Sequence, residues 1–265
     1  EHKRNMKSLF RFLFGLSESN PRPLPSREST SKASPSGEST SSTPATRDKE
    51  WRPVKWNTRN EIEADLRELK IHQTADITHL RILVYGAVGA GKSSFINSVN
   101  SVFEHRVMNR AGAAAGLSTS HTKRYKTYRF YDGQTSTLPF VFNDMMGLEQ
   151  DGSCGIHPDD IINAMLGHVK ENHAFNPLCP IKDGDPGYNS SPTLNDKAHC
   201  VVSVLSARTL PVIYEDAFRS IKSVWEKACD LGIPHVLLLT NIDSYCPLVK
   251  ENLRNVYLSR KIEEK

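Results

Sequence analysis

The chain has 265 residues, of which 38% are hydrophobic and 24% charged, so it can bury a normal core and is not disordered throughout. Its net charge of +4 comes from residues 1–55, which carry 11 Lys/Arg against 6 Asp/Glu, whereas residues 56–265 carry 23 against 24. A nearly neutral folded part argues against direct nucleic-acid binding, and no apolar run approaches the ~20 residues that span a bilayer.

The N-terminal residues 1–50 are predicted to form a disordered tail. Ser, Thr and Pro make up 19 of the 30 residues from Ser17 to Thr46, and such a segment cannot bury enough apolar surface to offset its ordering entropy. Before it lies a short basic, apolar segment, 6–16, which is interrupted by Arg11. We weigh membrane contact or targeting against a terminal segment that docks on the domain or stays mobile, and we favour the second.

Order is predicted to resume near Trp51, in a leading segment, 51–78. Thr58-Arg59-Asn60-Glu61 has the pattern of a capping box, and Ile62, Leu66 and Leu69 then recur at helical spacing.

The most specific pattern in the chain follows a short apolar strand, Leu80 to Tyr85. It reads Gly86-Ala87-Val88-Gly89-Ala90-Gly91-Lys92-Ser93, the G-x-x-x-x-G-K-S signature of a phosphate-binding loop (P-loop). Phe95, Ile96, Val99, Val102 and Phe103 then recur at helical spacing, so the order is strand, glycine loop, helix, as the motif requires. Glycines let backbone N–H groups face a polyphosphate, Lys92 brings charge to its β/γ oxygens, and Ser93 can bind Mg²⁺. Ser94 completes this part of the predicted nucleotide site.

Strands and helices alternate in the rest of the chain. Strands are predicted at 125–131, 138–142, 199–205 and 236–239, with Pro139 at the beginning of its strand, and helices after Pro158 and over 217–231. This alternation indicates an α/β fold, in which a mostly parallel sheet is covered on both faces. The long excursion 149–196 is predicted to be an extended switch or partner-binding region.

A D-x-x-G element, Asp144-Met145-Met146-Gly147, ends the strand at 138–142. After a phosphate-binding loop, its Asp can hold Mg²⁺ through water while the Gly147 N–H faces the γ-phosphate. The alternative interpretation is a polar turn at the end of a strand.

A guanine-reading element is predicted at Thr240-Asn241-Ile242-Asp243, after the last apolar strand. Asp243 would accept both the ring N–H and the exocyclic amine of guanine, a donor pair that adenine lacks. Asn241 stands where lysine is usual, so the base loses an aliphatic stem that would pack over it.

A hydroxyl-rich loop, Ser118 to Lys123, offers a third magnesium ligand. Thr122, which we favour over Thr119, would close on Mg²⁺ and the γ-phosphate, as in GTPase switches; the alternative is a solvated loop. The predicted catalytic residues are thus Lys92, Thr122 and Gly147, and the metal ligands are Ser93, Thr122 and Asp144.

The cysteines indicate a reducing compartment, and we expect a cytoplasmic protein. Cys154, Cys179, Cys200, Cys229 and Cys246 are scattered, odd in number and without C-x-x-C pairing. Cys154 and His157 lie near His168, His173 and Cys179, but their spacing fits no common zinc site.

These motifs together resemble the interferon-induced protein 44 family. The resemblance is carried by Leu80 to Gly86, Gly89 to Ser98, Asp144 to Leu148 and Leu238 to Asp243, and it covers roughly residues 51–265. It implies a three-layer P-loop, GTPase-like domain at 79–265, similar to that of dynamin-superfamily GTPases, and a role in interferon-induced antiviral responses. It also implies a guanine loop beyond a further helix and strand. Because the chain stops at Lys265, after Leu248 to Leu258 begin that helix, we expect a domain that is truncated at its C-terminal end.

The expected function is therefore guanine-nucleotide binding, with GTP or GDP and Mg²⁺ as cofactors. One interpretation is a slow or assembly-stimulated GTPase that self-associates across its nucleotide face; the other is a nucleotide-dependent scaffold for an unidentified protein, with little hydrolysis. Leu148 discriminates between them, because many small GTPases place a water-orienting Gln there. An ATPase or kinase is a third, less favoured interpretation, since Asp243 would then have no purpose.

Overall fold

The computed structural model describes residues 46–69, 71, 77–112, 123–132, 136–149, 155–210 and 215–264. Residues 1–45, with the basic, apolar segment at 6–16, and the threonines Thr119 and Thr122 lie outside these ranges. The elements within them are, in chain order, α1 Arg59–Arg67, β1 Leu80–Gly86, α2 Lys92–Glu104, β2 Lys126–Asp132, β3 Ser136–Asp144, α3 Pro158–Leu166, β4 Cys200–Ser206, α4 Glu215–Asp230, β5 His235–Thr240, α5 Ile242–Tyr245, α6 Pro247–Glu251, a 3₁₀ helix Leu253–Leu258 and α7 Arg260–Glu263.

The five strands form one sheet in the order β2-β3-β1-β4-β5. Strands β3, β1, β4 and β5 run parallel, and β2 is antiparallel to β3, so the predicted mostly parallel α/β architecture is confirmed. The carboxyl ends of the parallel strands are Gly86, Asp144, Ser206 and Thr240. They lie along one edge of the sheet, and three of them are the positions where the sequence motifs begin.

Both faces of the sheet are covered, because its central strands are apolar on both sides. Ile82 and Val84 of β1 pack in one core with side chains of α1 and α2, whereas Leu83 and Tyr85 pack in a second core with those of α3 and α4. This alternation follows the two-residue period of a strand and explains why β1 and β4 read as continuous apolar runs.

Two local predictions are wrong. Helix α1 begins next to Thr58 as expected, but the Thr58 hydroxyl donates to the Lys55 carbonyl (2.9 Å) instead of capping the helix, so there is no capping box. Pro139 lies inside β3 rather than at its beginning, opposite the irregularity of β2 between Arg129 and Tyr131. The ladder is interrupted there, and the missing proline N–H is tolerated.

The predicted helix from Leu248 to Leu258 is broken. Helix α6 ends at Glu251, and Asn252 takes an extended backbone (φ −151°) while its side chain accepts the Arg254 N–H at 3.0 Å and opens the 3₁₀ helix. An asparagine side chain that bonds to nearby backbone competes with the helix, which is the physical reason for the break.

Residues 46–51 lie against this C-terminal segment. The Arg47 and Trp51 N–H groups donate to the carbonyls of Leu258 and Tyr257, each at 2.9 Å, and the rings of Trp51 and Tyr257 meet edge to face with centroids 5.0 Å apart. Residues 46–50, which were predicted to belong to the disordered tail, thus contact the folded part of the chain.

The described part of the excursion, 155–196, covers the sheet face beside β2 and β3. The Asn195 carbonyl accepts the Nε–H of Arg81 at 2.8 Å, and Arg81 also donates to Asn143 Oδ1 at 2.9 Å. Glu171 accepts the backbone N–H of Thr127 at 3.0 Å. Partner binding by this region stays a prediction. None of the helices in the described ranges has the length and apolar character needed to cross a membrane.

Candidate functional site

The backbone conformation of the loop after β1 requires glycine at three positions. Gly86, Gly89 and Gly91 have φ values of 145°, 73° and 94°. At Gly86 an added Cβ would also lie 2.1 Å from the Val204 carbonyl oxygen, so this residue sets how closely β1 and β4 approach. Gly91 precedes α2 and carries no capping side chain, which leaves the first-turn N–H donors of that helix without a side-chain cap.

Lys92 is a buried cation inside this loop. Its Nζ donates to the carbonyls of Gly86 and Ala87, both at 3.1 Å. Burial lowers the pKa of Lys92 from its ordinary 10.5 to about 8, although the charge of Asp144 opposes the shift. The two carbonyls also accept N–H groups of Leu148 (3.0 Å) and Ala90 (3.2 Å), so they do not depend on the lysine for a donor. This arrangement suits a bound anion, which would favour the charged form of the ammonium.

Two of the three predicted magnesium ligands meet in the structure. The Ser93 hydroxyl donates to Asp144 Oδ2 at 3.0 Å, and Asp144 is fully buried, with Oδ1 accepting the Met145 N–H at 3.0 Å. Carboxylate and hydroxyl oxygens are hard ligands of the kind that Mg²⁺ takes in nucleotide sites. The third predicted ligand, Thr122, lies outside the described residues.

No group of three or more His, Cys, Asp and Glu side chains that could hold a metal occurs in the described part of the chain. The predicted magnesium set, with a single carboxylate, is not of that kind. The His and Cys residues that follow Cys154 are used individually: His157 caps α3, and His168 stacks on Tyr188 with ring centroids 4.9 Å apart.

Gly147 lies directly against the loop. A Cβ at this position would be 2.9 Å from Lys92 Nζ and 2.9 Å from the Val88 nitrogen, so no side chain fits between the D-x-x-G element and the lysine. The next residue is locked: the Leu148 N–H donates to the Gly86 carbonyl (3.0 Å) and its carbonyl accepts the Val88 N–H (2.9 Å). The Leu148 side chain is turned into the core beside α3 and is 4% exposed.

The predicted base-reading element is attached to the same loop. The Thr240 hydroxyl lies 2.6 Å from the Ala90 carbonyl oxygen and 3.1 Å from that of Leu205, and it can donate its one proton to this pair. Asn241 has a left-handed backbone (φ 51°), and its amide donates to the Ser206 hydroxyl at 3.0 Å. Asp243 follows, exposed, in the first turn of α5.

The structure therefore brings together Lys92, Ser93, Asp144, Gly147 and Thr240 around one loop. Asn241 and Asp243 follow β5, which is separated from β1 by β4. Ser94 is exposed in the first turn of α2. The sequence did not reveal two features of the site. One is the hydrogen bond between Asn241 and Ser206, and the other is the backbone pairing of Leu148 with Gly86 and Val88. The first had a signal, because asparagine tolerates the left-handed conformation after a strand; the second depends on a pairing that no local pattern reveals.

Curated relatives of this chain exist. It is 34% identical over 199 residues to human interferon-induced protein 44-like, which aligns 75% of this chain with 44% of that protein. It is 35% identical over 191 residues to human interferon-induced protein 44 (71% and 42%) and 32% identical over 193 residues to the mouse protein of that name (71% and 44%). The chain thus spans less than half of the length of the relatives that it matches, and no family model matches it. The resemblance inferred from the motifs is confirmed.

Gly86→Ala and Gly89→Ala form a matched pair that tests the loop geometry. Both place an L side chain at positive φ, a sparsely populated backbone conformation that costs roughly 1–3 kcal/mol. Only Gly86→Ala also drives a Cβ into the Val204 carbonyl, whereas the space around Gly89 is open. We expect Gly86→Ala to lower the free energy of unfolding by clearly more than Gly89→Ala, as measured by urea denaturation. Equal losses for the two variants would contradict the close approach of β1 and β4.

Proposed function

We propose that this chain, which is similar over 71–75% of its length to interferon-induced proteins 44 and 44-like, is a guanine-nucleotide-binding P-loop protein of interferon-induced innate antiviral immunity, acting in the cytoplasm. The observation that carries the proposal is the Lys92 ammonium, which is buried in a glycine loop and hydrogen-bonded to carbonyl groups. A buried ammonium in this position is suited to a bound anion, and the surrounding loop amides and the adjacent Ser93 and Asp144 suit a magnesium polyphosphate.

Each residue then has a definite task. Lys92 would contact the β/γ oxygens, and Ser93 and Asp144 would hold Mg²⁺, Asp144 through water. Bound Mg²⁺ would neutralise charge on the phosphates. The Gly147 N–H would face the γ-phosphate, and Thr240 would keep the base-reading element attached to the loop at Ala90. Asp243 would select guanine. The base would be held less tightly than usual, because the Asn241 side chain binds Ser206.

Slow hydrolysis stimulated by assembly across the nucleotide face is the favoured mode of action. Leu148 supports it, since its apolar side chain is buried and both of its backbone polar groups bond to the loop. A water-orienting group must then come from elsewhere, such as Thr122 or another chain. The same observation supports the alternative, a nucleotide-dependent scaffold with little or no hydrolysis.

Lys92→Met tests the phosphate site through stability and binding together. Since burial lowers the pKa of Lys92 from 10.5 to about 8, the folded state disfavours the charged form, and Lys92 costs stability below pH 8. This cost vanishes as the pH rises towards 10.5. We therefore expect Lys92→Met to raise the unfolding temperature of the nucleotide-free protein at pH 7, with a difference that shrinks above pH 8, while GTP binding weakens by about tenfold or more.

The control for that experiment is Lys222→Met, which removes an exposed ammonium on α4 that faces Glu226. It should change neither property. Binding of GTP to the unsubstituted protein should weaken above pH 8, as Lys92 loses its proton. Unaltered GTP binding by a folded Lys92→Met protein, in titration calorimetry, would refute the phosphate site.

Asp243→Asn tests the base. Removing the carboxylate that accepts two donors of guanine should reduce the preference for GTP over ATP by about tenfold or more, and should admit xanthosine triphosphate, whose ring presents the complementary acceptor. Competition binding measures both effects, and Asp230→Asn, an exposed change at the end of α4, is the matched control. Equal affinity of the unsubstituted protein for ATP and GTP would rule out the guanine assignment while leaving the phosphate site intact.

Turnover separates the GTPase from the scaffold. If assembly supplies the missing group, phosphate release per molecule rises with protein concentration, and Thr122→Ala abolishes the rise. Leu148→Gln should not raise turnover, because the new amide enters the core and destabilises the fold instead. A rate close to that without protein, at every concentration, favours the scaffold. Rapid turnover that is independent of concentration contradicts both.

A further inference from the structure

Strand β2 is an edge of the sheet, and the contacts of residues 155–196 with this edge lie at its beginning. Just before β2, the Tyr125 N–H donates to the His173 carbonyl (2.9 Å), and the Phe175 N–H donates to the Lys123 carbonyl (3.1 Å). One residue into β2, Glu171 accepts the Thr127 N–H at 3.0 Å. A side chain thus takes the place of a neighbouring strand at Thr127.

The register identifies the next backbone groups on this edge. In the β2–β3 ladder Thr127 is opposite Asn143 and Arg129 is opposite Val141, without a shift between them. Residues two apart in an antiparallel ladder direct their N–H and C=O groups to the same side. Because the Thr127 N–H faces away from β3, the N–H and C=O groups of Arg129 also face away from β3. Beyond Glu171, the edge therefore presents backbone donors and acceptors to the outside.

The side chains around this edge form a positively charged cleft of about 840 Å³, here called the arginine cleft. It is lined by Glu104, Arg106, Arg110, Thr127, Tyr128, Arg129 and Tyr131. Arg106 and Arg110 share a single carboxylate, Glu104, at 3.4 and 3.7 Å. Arg110 also lies over the Tyr131 ring, 5.4 Å from its centroid, and the neighbouring Asp132 is paired with Arg67 at 3.0 Å. Two guanidinium groups, those of Arg106 and Arg110, thus share one carboxylate, and Arg129 adds a third positive charge to the lining of the cleft.

An apolar side chain stands in the same loop as these arginines. Val107, between α2 and Arg110, is 94% exposed. A single exposed valine is ordinary on a protein surface, but here it lies next to Arg106, within the loop that borders the cleft. The surface around β2 therefore combines strand-edge hydrogen bonding with positive charge, and an exposed apolar residue lies nearby in the chain.

We propose that the arginine cleft binds an extended acidic peptide segment of a partner protein, which adds as a strand to the outer edge of β2. The outward-facing backbone of β2 calls for an extended segment, and Arg106 and Arg110, which share one carboxylate, call for further carboxylates at alternate positions of that segment, while Arg129 adds to the positive charge. This inference goes beyond the nucleotide-binding proposal and does not depend on it, because no residue of the cleft belongs to the nucleotide site.

The test uses a short fluorescent peptide in which Glu alternates with Val or Thr, with binding to the full chain followed by fluorescence anisotropy. Arg129→Glu should weaken binding by at least about tenfold, and so should Arg106→Glu, a loop change that does not touch the core. Arg254→Glu, the same change at an exposed position of the 3₁₀ helix, is the control and should stay within about twofold. GTP binding, measured in parallel, should be unchanged in all three variants, so that a failure here is separate from a failure of the nucleotide site.

Backbone pairing is tested on the peptide. N-methylation of its alternate amides in one register should abolish binding, whereas methylation in the other register, whose N–H groups point away from β2, should be tolerated. Equal effects of methylation in the two registers would contradict backbone pairing, and equal weakening by Arg254→Glu would mean general charge attraction; either result would overturn the proposal. So would a failure of the peptide to bind, or tighter binding to vesicles of phosphatidylserine or to single-stranded RNA than to the peptide.

Discussion

The register of β1 between β3 and β4 is the constraint on which the candidate site depends. Val84 is paired with Asp144 on one side, and Gly86 is paired with Val204 on the other. This register carries Asp144 to Ser93 and lets the chain beyond β3 run beside the glycine loop, where Leu148 pairs with Ala87. A slip of one residue would exchange the two faces of β1 and move both cores at once. The burial of Ile82 and Leu83 on opposite faces thus also fixes the geometry of the loop.

The candidate site contains buried charged groups that lower the stability of the fold but are already in position for a ligand. Lys92 is held in a dry environment that disfavours its charge, and Asp144 is buried beside a neutral hydroxyl. A sheet end selected for stability alone would place apolar groups there. Buried charged groups that the surrounding structure holds in place are common at ligand sites, which agrees with the proposed role of this loop. The contact of Thr240 with Ala90 joins the end of β5 to the glycine loop.

Features encoded by repeated or spaced residues within a short stretch could be predicted, whereas the choice of a single polar side chain among nearby backbone groups, and contacts between distant residues, could not. The glycine loop and the apolar strands were readable because each depends on residues within a few positions of one another. The same reasoning failed at Thr58, whose hydroxyl found a nearer carbonyl, and at Asn252, whose side chain broke a helix. It could not anticipate that Arg81 would hold the excursion at Asn195, a contact across 114 positions. The position of Thr122 remains a prediction.

The contact of residues 46–51 with the C-terminal segment has a mechanical consequence. Thr46 forms an antiparallel bridge with Ser259, and Arg47 donates to Glu263 at 2.7 Å, so the first and last described parts of the chain are adjacent. Anything joined before Thr46 and after Glu264 is tethered at nearly one point of the surface. Tension applied through both ends would load this bridge and ion pair first and leave the parallel sheet unloaded.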